Sequence, residues 1–305
     1  MRRHIRGVAA AALVMTVTPV AAQVVAHEPP GGMIATYRHD PRAGIAAGEL
    51  RRFTLFDSTY HRDRVVWVYT PPGYSPSARP GYDLMVAFDG ADYRDTMPLP
   101  MILDTLTARG RVPPFVAVLV DDSSGAARLG DLANRARFAE FLGEQLLPWV
   151  RRGWNVTRDP QRTIITGSSA GGLAAANVAL ARPDLFGNVL AQSGAFWRGN
   201  EASNDSPFEW LTAHVASLPR RDVRFLLDVG ALETGHTIGG RGPVFIEAVR
   251  RFRDALLATG YRVDYREIPG AAHAPEFWRI RLPDDIVALG GAWTRDSTRA
   301  SGARQ

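Results

Sequence analysis

RTIITGSSAGGLAAANVALAR, residues 162–182, is the most informative stretch of this 305-residue chain. A β-branched run from Thr163 to Thr166 leads into small residues and then into an alanine-rich segment of helical composition. That order predicts a strand, a sharp turn and a helix. Ser169 has a glycine two residues away on each side, so the Gly-x-Ser-x-Gly spacing centres the turn on it. We expect a strained backbone at Ser169 and small neighbours, because strand and helix cross closely there.

The Gly-x-Ser-x-Gly string is weak evidence when taken alone. A chain with 29 glycines matches it readily by chance, and the alternative is a glycine-rich turn of an ordinary α/β protein. The strand before it and the helix after it favour a nucleophile, because such a turn exposes the serine hydroxyl at the edge of a sheet.

The rest of the chain alternates between strand and helix patterns. Alternating or continuous apolar runs predict further strands at 49–57, 62–70, 83–88, 115–120, 188–192, 223–229 and 262–268. Apolar spacing of three and four predicts helices at 101–109, 137–150, 245–257 and 284–289. This alternation implies a mostly parallel central sheet with helices on both faces, in one α/β domain over residues 50–293.

The two ends of the chain differ from this domain. Residues 1–22 run from basic through apolar to small residues, which is typical of a cleaved secretory signal, and the apolar run is too short to span a bilayer. We therefore expect a periplasmic or secreted protein that is cut near Ala22. Residues 23–49 predict an irregular lead-in, and residues 294–305, which lack large apolar side chains, predict a frayed and disordered tail.

Composition excludes several classes of enzyme. All 36 basic residues are arginine, and the chain has neither lysine nor cysteine. Phosphate-binding P-loops, Schiff-base enzymes and Ser/Lys hydrolases need a lysine, whereas thiol nucleophiles and disulfides need cysteine. Without residues 1–22 the net charge is near +2, so we expect no nucleic-acid partner. Histidines and carboxylates show no metal-ligand spacing, so we expect neither a metal nor another cofactor.

A serine hydroxyl becomes a nucleophile when a histidine takes its proton and a carboxylate orients that histidine. In α/β hydrolases both partners follow the serine in the chain and lie on loops after strands. His273 falls just after the strand predicted at 262–268 and is our candidate for the base. His214 lies in a segment of helical composition and His236 lies in the glycine-rich stretch 235–242, so both are weaker candidates.

The orienting carboxylate has two candidates. Glu233 follows the strand predicted at 223–229 and lies in the loop where the acid is expected. Asp228 is the competitor, but a residue inside the strand points sideways from the sheet, so we rank it second. The segment 236–242 is interpreted as an insertion. Its path decides whether Glu233 stays at the position where the orienting carboxylate is expected.

A tetrahedral intermediate also needs two N–H donors for its oxyanion. The residue after the nucleophile normally provides one, here Ala170, and the loop after the third strand provides the other. Gly90 in FDGADY, residues 88–93, is our candidate there, because glycine lets the backbone turn its N–H towards the site. The alternative at Gly90 is a simple Asp-Gly turn that ends the strand.

Seven segments, in the same order, resemble the enterochelin esterase-like family over most of the chain. They are VYTPPGY (68–74), FDGADY (88–93), ILDTLTARGRVPPFVAVLVDD (102–122), FAEFLGEQLLPWV (138–150), TGSSAGGLAA (166–175), FGNVLAQSGAFW (186–197) and GAAHAPEFWRIRLPDDI (270–286). That family is a group of α/β hydrolases that includes siderophore trilactone esterases and is similar to feruloyl esterases. The resemblance implies the α/β-hydrolase fold, nucleophile Ser169, base His273, acid Glu233 and oxyanion donors Gly90 and Ala170.

Contacts with the substrate follow from the same resemblance and from aromatic residues near strand ends. The family often carries an Arg-x-Arg-Glu-Leu string, of which this chain keeps Arg128, and we expect Arg128 to meet a carboxylate or phenolate. Trp197 is our candidate for an aromatic wall, with Phe196 and Trp278 as alternatives.

We therefore predict a serine carboxylesterase that acts on a small-molecule ester. An acyltransferase with the same three side chains and a non-catalytic binding protein with this fold are the alternatives. Product analysis separates the first alternative from an esterase, and labelling with an active-site phosphonate separates the second.

Overall fold

The computed structural model describes residues 32–38, 44–121, 125–133, 135–199 and 207–302. The predicted signal, residues 1–22, lies outside the described residues. Within those ranges, no helix combines the length and the apolar character that crossing a membrane requires.

The described residues form one sheet of nine strands. These are β1 (Met33–Ala35), β2 (Glu49–Asp57), β3 (Arg62–Thr70), β4 (Asp83–Ala87), β5 (Phe115–Val120), β6 (Thr163–Ser168), β7 (Asn188–Gln192), β8 (Arg224–Gly230) and β9 (Arg262–Ile268). Their order across the sheet is β1-β2-β3-β5-β4-β6-β7-β8-β9. The β1, β2 and β3 strands pair antiparallel, and β3 pairs antiparallel with β5. The six strands from β5 to β9 across the sheet are parallel, so their carboxyl ends share one edge.

The same ranges contain ten α-helices. These are α1 (Gly90–Asp95), α2 (Leu99–Ala108), α3 (Gly125–Ala133), α4 (Arg135–Glu140), α5 (Leu147–Gly153), α6 (Ala170–Ala181), α7 (Trp210–Val215), α8 (Thr237–Gly240), α9 (Phe245–Ala258) and α10 (Pro275–Gly302). A π-helical turn, Phe141–Leu146, joins α4 to α5.

The β5 strand shows why the sheet needs helices on both faces. All of its residues are buried. Val116 and Val118 belong to a hydrophobic cluster that includes side chains of α6 and α9, whereas Ala117 and Leu119 belong to a second cluster with α2 and α10. Alternate residues of a strand point to opposite faces, so each face has its own core. The predicted α/β architecture, a mostly parallel sheet with helices on both faces, is confirmed.

The structure differs from the sequence analysis in the lead-in predicted at 23–49, because Met33–Ala35 pairs with β2. Asp104 of α2 explains this order: its carboxylate accepts the Tyr37 hydroxyl at 2.6 Å and the Gly48 N–H at 2.9 Å. A three-residue strand is too short to show periodicity, and the bonds that hold this segment come from a distant helix.

Two predicted helices also differ in extent. The one predicted at 137–150 is divided by the π-helical turn, and Pro148 in the first turn of α5 has no N–H for a continuous α-helical hydrogen bond. The one predicted at 284–289 is part of the much longer α10. α10 is helical to Gly302 and therefore overlaps the tail predicted at 294–305.

Candidate active site

Ser169 alone separates the end of β6 at Ser168 from the start of α6 at Ala170. Its backbone has φ 54° and ψ −119°, a combination that residues other than glycine rarely adopt. Its N–H donates to the carbonyl of Gln192 at 2.9 Å, and its carbonyl accepts the N–H of Ala195 at 2.9 Å. These bonds hold the strained residue at the carboxyl edge of the sheet.

The glycines around Ser169 are required by close packing. A Cβ at Gly167 would lie 2.4 Å from the carbonyl carbon of Gly171, which leaves no room for a side chain. A Cβ at Gly172 would lie 3.0 Å from Cα of Gly194, on the loop after β7. The predicted close crossing of strand and helix is therefore present in the structure.

The structure brings Ser169, His273 and Glu233 together from the loops that follow β6, β9 and β8. Nε2 of His273 lies 3.0 Å from Oγ of Ser169, and Nδ1 of His273 lies 2.6 Å from Oε2 of Glu233. A carboxylate only accepts hydrogen bonds, so Nδ1 carries the proton and Nε2 is left to accept the serine O–H. This is the tautomer that a general base requires.

Glu233 is buried, and both of its oxygens are occupied. Oε1 accepts the Ser193 hydroxyl at 2.6 Å and the Gly230 N–H at 2.8 Å, while Oε2 accepts the His273 proton. A Cβ at Gly230 would lie 2.4 Å from the carbonyl oxygen of Ala271, so only glycine fits between this loop and the His273 loop. Ser193 was not predictable from the sequence, because its bond to Glu233 joins residues 40 positions apart.

The segment 236–242 does not displace Glu233. Nδ1 of His236 lies 2.9 Å from the carbonyl of Gly242, which closes the segment on itself. Ile246 at the start of α9 then donates its N–H to the carbonyl of Glu233 at 3.0 Å. The chain therefore returns directly to Glu233 after this segment.

Two aromatic rings flank the imidazole of His273. The ring of Phe245 lies 4.6 Å away, and the ring of Trp278 lies 5.1 Å away at a near-perpendicular 87°. Trp278 also donates its indole N–H to Oγ of Ser193 at 2.9 Å. Trp278 therefore helps to hold His273 and, through Ser193, Glu233 in place, and its buried position offers little surface to a ligand.

The competing residues lie elsewhere. The carboxyl group of Asp228 faces Asp285 of α10. His214 lies in α7, where its ring stacks on Trp210 at 4.2 Å. Of the two carboxylates considered, Glu233 is the one that contacts the imidazole.

Gly90 and Ala170 occupy equivalent positions in two adjacent strand-to-helix turns. Each is the first residue of its helix, α1 or α6, where N–H groups have no acceptor within the helix. β4 and β6 are neighbouring parallel strands, so both turns lie at the same edge. A Cβ at Gly90 would lie 2.8 Å from the carbonyl carbon of Leu119. This position therefore requires glycine because the backbone of β5 lies too close for any side chain.

Arg128 reaches this turn through Asp89, the residue before Gly90. Asp89 has φ 54°, and its two carboxylate oxygens pair with Nε and Nη2 of Arg128, the second at 2.5 Å. Arg128 therefore braces the α1 turn, and about a quarter of its side chain remains exposed. No sequence pattern predicts the pair of Arg128 with Asp89.

The loop after β7 carries Trp197, the residue predicted to form an aromatic wall. Trp197 is half-buried, and the guanidinium of Arg198 lies 5.2 Å from the centre of its ring. Burial lowers the pKa of Arg198, and nearby Arg128 lowers it further, so two cationic side chains lie near each other here. Phe196 is fully buried and stacks on Phe252 at 3.9 Å, which makes it a core residue.

Comparisons with known proteins find esterases. The Esterase family model, described as "Putative esterase", matches residues 58–289. An iron(III) enterobactin esterase of Dickeya dadantii is 32% identical over 85% of this chain and 60% of its own length. An iron(III) enterobactin esterase of Escherichia coli K12 is 27% identical over 75% of this chain and 54% of its own length. The chain thus spans little more than half the length of these curated relatives.

Solved structures with the same fold include the enterobactin esterase FES from Shigella flexneri, crystallised in the presence of enterobactin. It superposes with a TM-score of 0.68 and 26% identity over 79% of this chain and 58% of its own. A ferulic acid esterase superposes with a TM-score of 0.67 over 80% of this chain and 99% of its own. Its identity of 17% supports a shared fold alone.

Proposed function

This chain belongs to the Putative esterase family, and from that premise we propose that it hydrolyses carboxylic esters through an acyl-enzyme on Ser169. The observation that carries the proposal is the unbroken chain of hydrogen bonds from Ser169 through His273 to Glu233, at 3.0 and 2.6 Å. A half-exposed hydroxyl, an accessible imidazole and a buried, fully bonded carboxylate together supply a nucleophile, a base and an orienting group.

The reaction proceeds in two symmetric halves. Ser169 Oγ attacks the ester carbonyl while His273 Nε2 takes the hydroxyl proton, and Glu233 stabilises the imidazolium that forms. The negative oxygen of the intermediate accepts the N–H groups of Gly90 and Ala170. His273 then gives its proton to the departing alkoxide, and the alcohol leaves. A water molecule repeats the sequence on the acyl-enzyme, so the acid is released and Ser169 regains its proton.

For the substrate we propose an ester with an aromatic and anionic part, of siderophore, aryl or sugar type. Two of its relatives are iron(III) enterobactin esterases, which supports this choice of substrate. Within this chain, the guanidinium of Arg198 lies 5.2 Å from the centre of the half-buried Trp197 ring, and Arg128 lies near Arg198. Arg128 and Trp197 are the two side chains that we propose flank the bound ester.

We also propose that the protein is exported, which rests on the signal-like pattern of residues 1–22. N-terminal sequencing of the protein from fractionated cells tests this, with a new N-terminus after Ala22 in the periplasm or medium as the expected result. An intact N-terminus in the cytoplasmic fraction would contradict it.

Substitution of the nucleophile tests the proposed chemistry. Ser169→Ala should abolish hydrolysis of p-nitrophenyl esters, by about 10⁴-fold or more, and should block labelling by a fluorophosphonate. Ser217→Ala is the matched control, because Ser217 lies just after α7 and bonds to His214. Retained turnover by folded Ser169→Ala protein would end the proposal. Product analysis with an added alcohol shows whether the acyl group goes to water or to that acceptor.

A further inference from the structure

Two buried carboxyl groups lie behind Glu233. Asp228 of β8 is 2% exposed and Asp285 of α10 is fully buried. Their carboxyl groups face each other, and Oδ2 of each has no hydrogen-bond partner among the described residues. A carboxylate only accepts hydrogen bonds, so two facing carboxyl groups bond to each other when one of them holds a proton.

The charges around Asp228 and Asp285 favour a state in which the two carboxyl groups together hold one proton rather than none or two. The titratable and charged groups of the elements packed against it are Arg266 of β9, Arg281 and Asp284 of α10, Tyr93 of α1 and, through Ser193, Glu233. Oδ1 of Asp285 pairs with Arg266 and lies 3.7 Å from Arg281, which stabilises one negative charge. A second negative charge would face the first without any further donor. Burial raises the pKa of Asp228 well above its usual range, and Asp285 raises it further.

The pair is connected to Glu233 by a single residue. The N–H of Ser193 donates to the carbonyl of Asp228 at 2.9 Å and lies 3.2 Å from Oδ1 of the same residue. The amide of Gln192 also contacts this carboxyl group. The hydroxyl of Ser193 donates to Oε1 of Glu233 at 2.6 Å. Because Ser193 has φ 45°, its position depends on these bonds rather than on a relaxed backbone.

We propose that Asp228 and Asp285 share one proton, and that this pair positions Ser193 and, through it, the carboxylate of Glu233 against His273. The catalytic part of this inference rests on the proposed esterase function, whereas the shared proton is independent of it. Asp228 and Asp285 are positioning residues, since neither contacts Ser169 or His273.

Infrared spectroscopy tests the shared proton directly. At about pH 8, ordinary aspartates are ionised, so the folded protein should show the C=O band of a protonated carboxyl group. Asp228→Asn and Asp285→Asn should each remove that band. Asp83→Asn is the control, because Asp83 is also buried but lies at the opposite edge of the sheet and has a pKa raised to about 7 by burial. A missing band, or a band that survives both substitutions, would overturn the proposal.

Kinetics test the positioning role. Asp228→Asn keeps an acceptor for Ser193 and a donor for Asp285, so kcat should stay within about threefold, whereas Asp228→Ala should lower kcat about tenfold at unchanged KM. The parent enzyme should lose kcat when the pair loses its proton at alkaline pH, and Asp228→Asn should not. Unchanged kcat in Asp228→Ala, or an alkaline limb that persists in Asp228→Asn, would overturn the positioning role.

The two sets of measurements also separate this inference from the proposed function. If the parent protein hydrolyses no ester, the proposed function fails, but the infrared band still decides whether the proton is shared. If the parent protein is active and the band is absent, the esterase proposal stands and the pair carries no proton.

Discussion

Replacing Ser193 with alanine should slow ester hydrolysis although the serine, histidine and glutamate stay in place. The Ser193 hydroxyl donates to Oε1 of Glu233 at 2.6 Å and accepts the indole N–H of Trp278 at 2.9 Å. Alanine removes both bonds. Glu233 would keep the Gly230 N–H on Oε1 and the His273 proton on Oε2, so the carboxylate would remain but with one fewer restraint.

The size of the effect follows from these bonds. A hydrogen bond to a charged group contributes about 1.5–3 kcal/mol, and a buried N–H without an acceptor costs about 1–3 kcal/mol. Misalignment of Glu233 should lower kcat by about tenfold to a hundredfold. The free energy of unfolding should fall by about 2.5–6 kcal/mol, because Trp278 loses its acceptor as well. KM should not change, since Ser193 is 1% exposed and cannot reach the substrate.

Steady-state kinetics with p-nitrophenyl esters and urea unfolding measure both quantities. Ser193→Gly is the matched variant: it lacks the same hydroxyl, but glycine adopts φ 45° without the strain of about 1 kcal/mol that a side chain adds. We expect the two variants to have equal kcat and the glycine variant to be more stable. A folded Ser193→Ala enzyme with kcat within about twofold of the parent would refute the argued role of this serine.

Three further predictions concern other parts of the molecule. Gly90→Ala should lower kcat by about a hundredfold, because its Cβ would lie 2.8 Å from the carbonyl carbon of Leu119 and must displace the N–H; parent-like burst kinetics would contradict this. Burial raises the pKa of Asp83 to about 7, above its ordinary value of 3.8, so the folded protein holds that proton over a range where the unfolded chain releases it. The unfolding free energy of the parent protein should therefore fall as pH rises from about 4 to about 7. In Asp83→Asn this fall should be smaller by a few kcal/mol. An equal dependence of the unfolding free energy on pH in both proteins, measured by urea unfolding, would disprove the prediction. Trp197→Ala should raise KM for aryl esters more than for acetyl esters, and an equal change for both would exclude an aromatic contact.

Much of the fold was predictable because its signals are local. The strands at 49–57, 62–70, 115–120, 188–192 and 262–268 have the predicted bounds. Their apolar runs are long enough to show periodicity, and turn residues mark their ends. The short β1 strand and the π-helical turn before α5 were not predictable in this way, because the first is only three residues long and the second interrupts an unbroken helical pattern.

In the candidate site, too, the local features were predictable from the sequence and the long-range contacts were not. Ser169 and His273 were chosen from their places after predicted strands, and the structure puts their side chains 3.0 Å apart. Their catalytic roles, like that of Glu233, stay predictions until the variants are measured. The braces around them, such as Arg128 on Asp89, pair residues that are 39 positions apart and leave no pattern in the sequence.

The amino-acid order alone was enough for the strand-turn-helix at Ser169, the parallel sheet and the edge where the loops meet, since hydrophobic periodicity and glycine spacing act over a few residues. The sequence ranks Glu233 ahead of Asp228, but only the folded chain shows which of them faces His273, because both lie near the end of β8. Glu233 meets His273, whereas Asp228 meets Asp285 on a helix 57 positions later in the numbering. Contacts of this kind depend on how whole elements pack against each other, and burial then sets the charge of each carboxyl group.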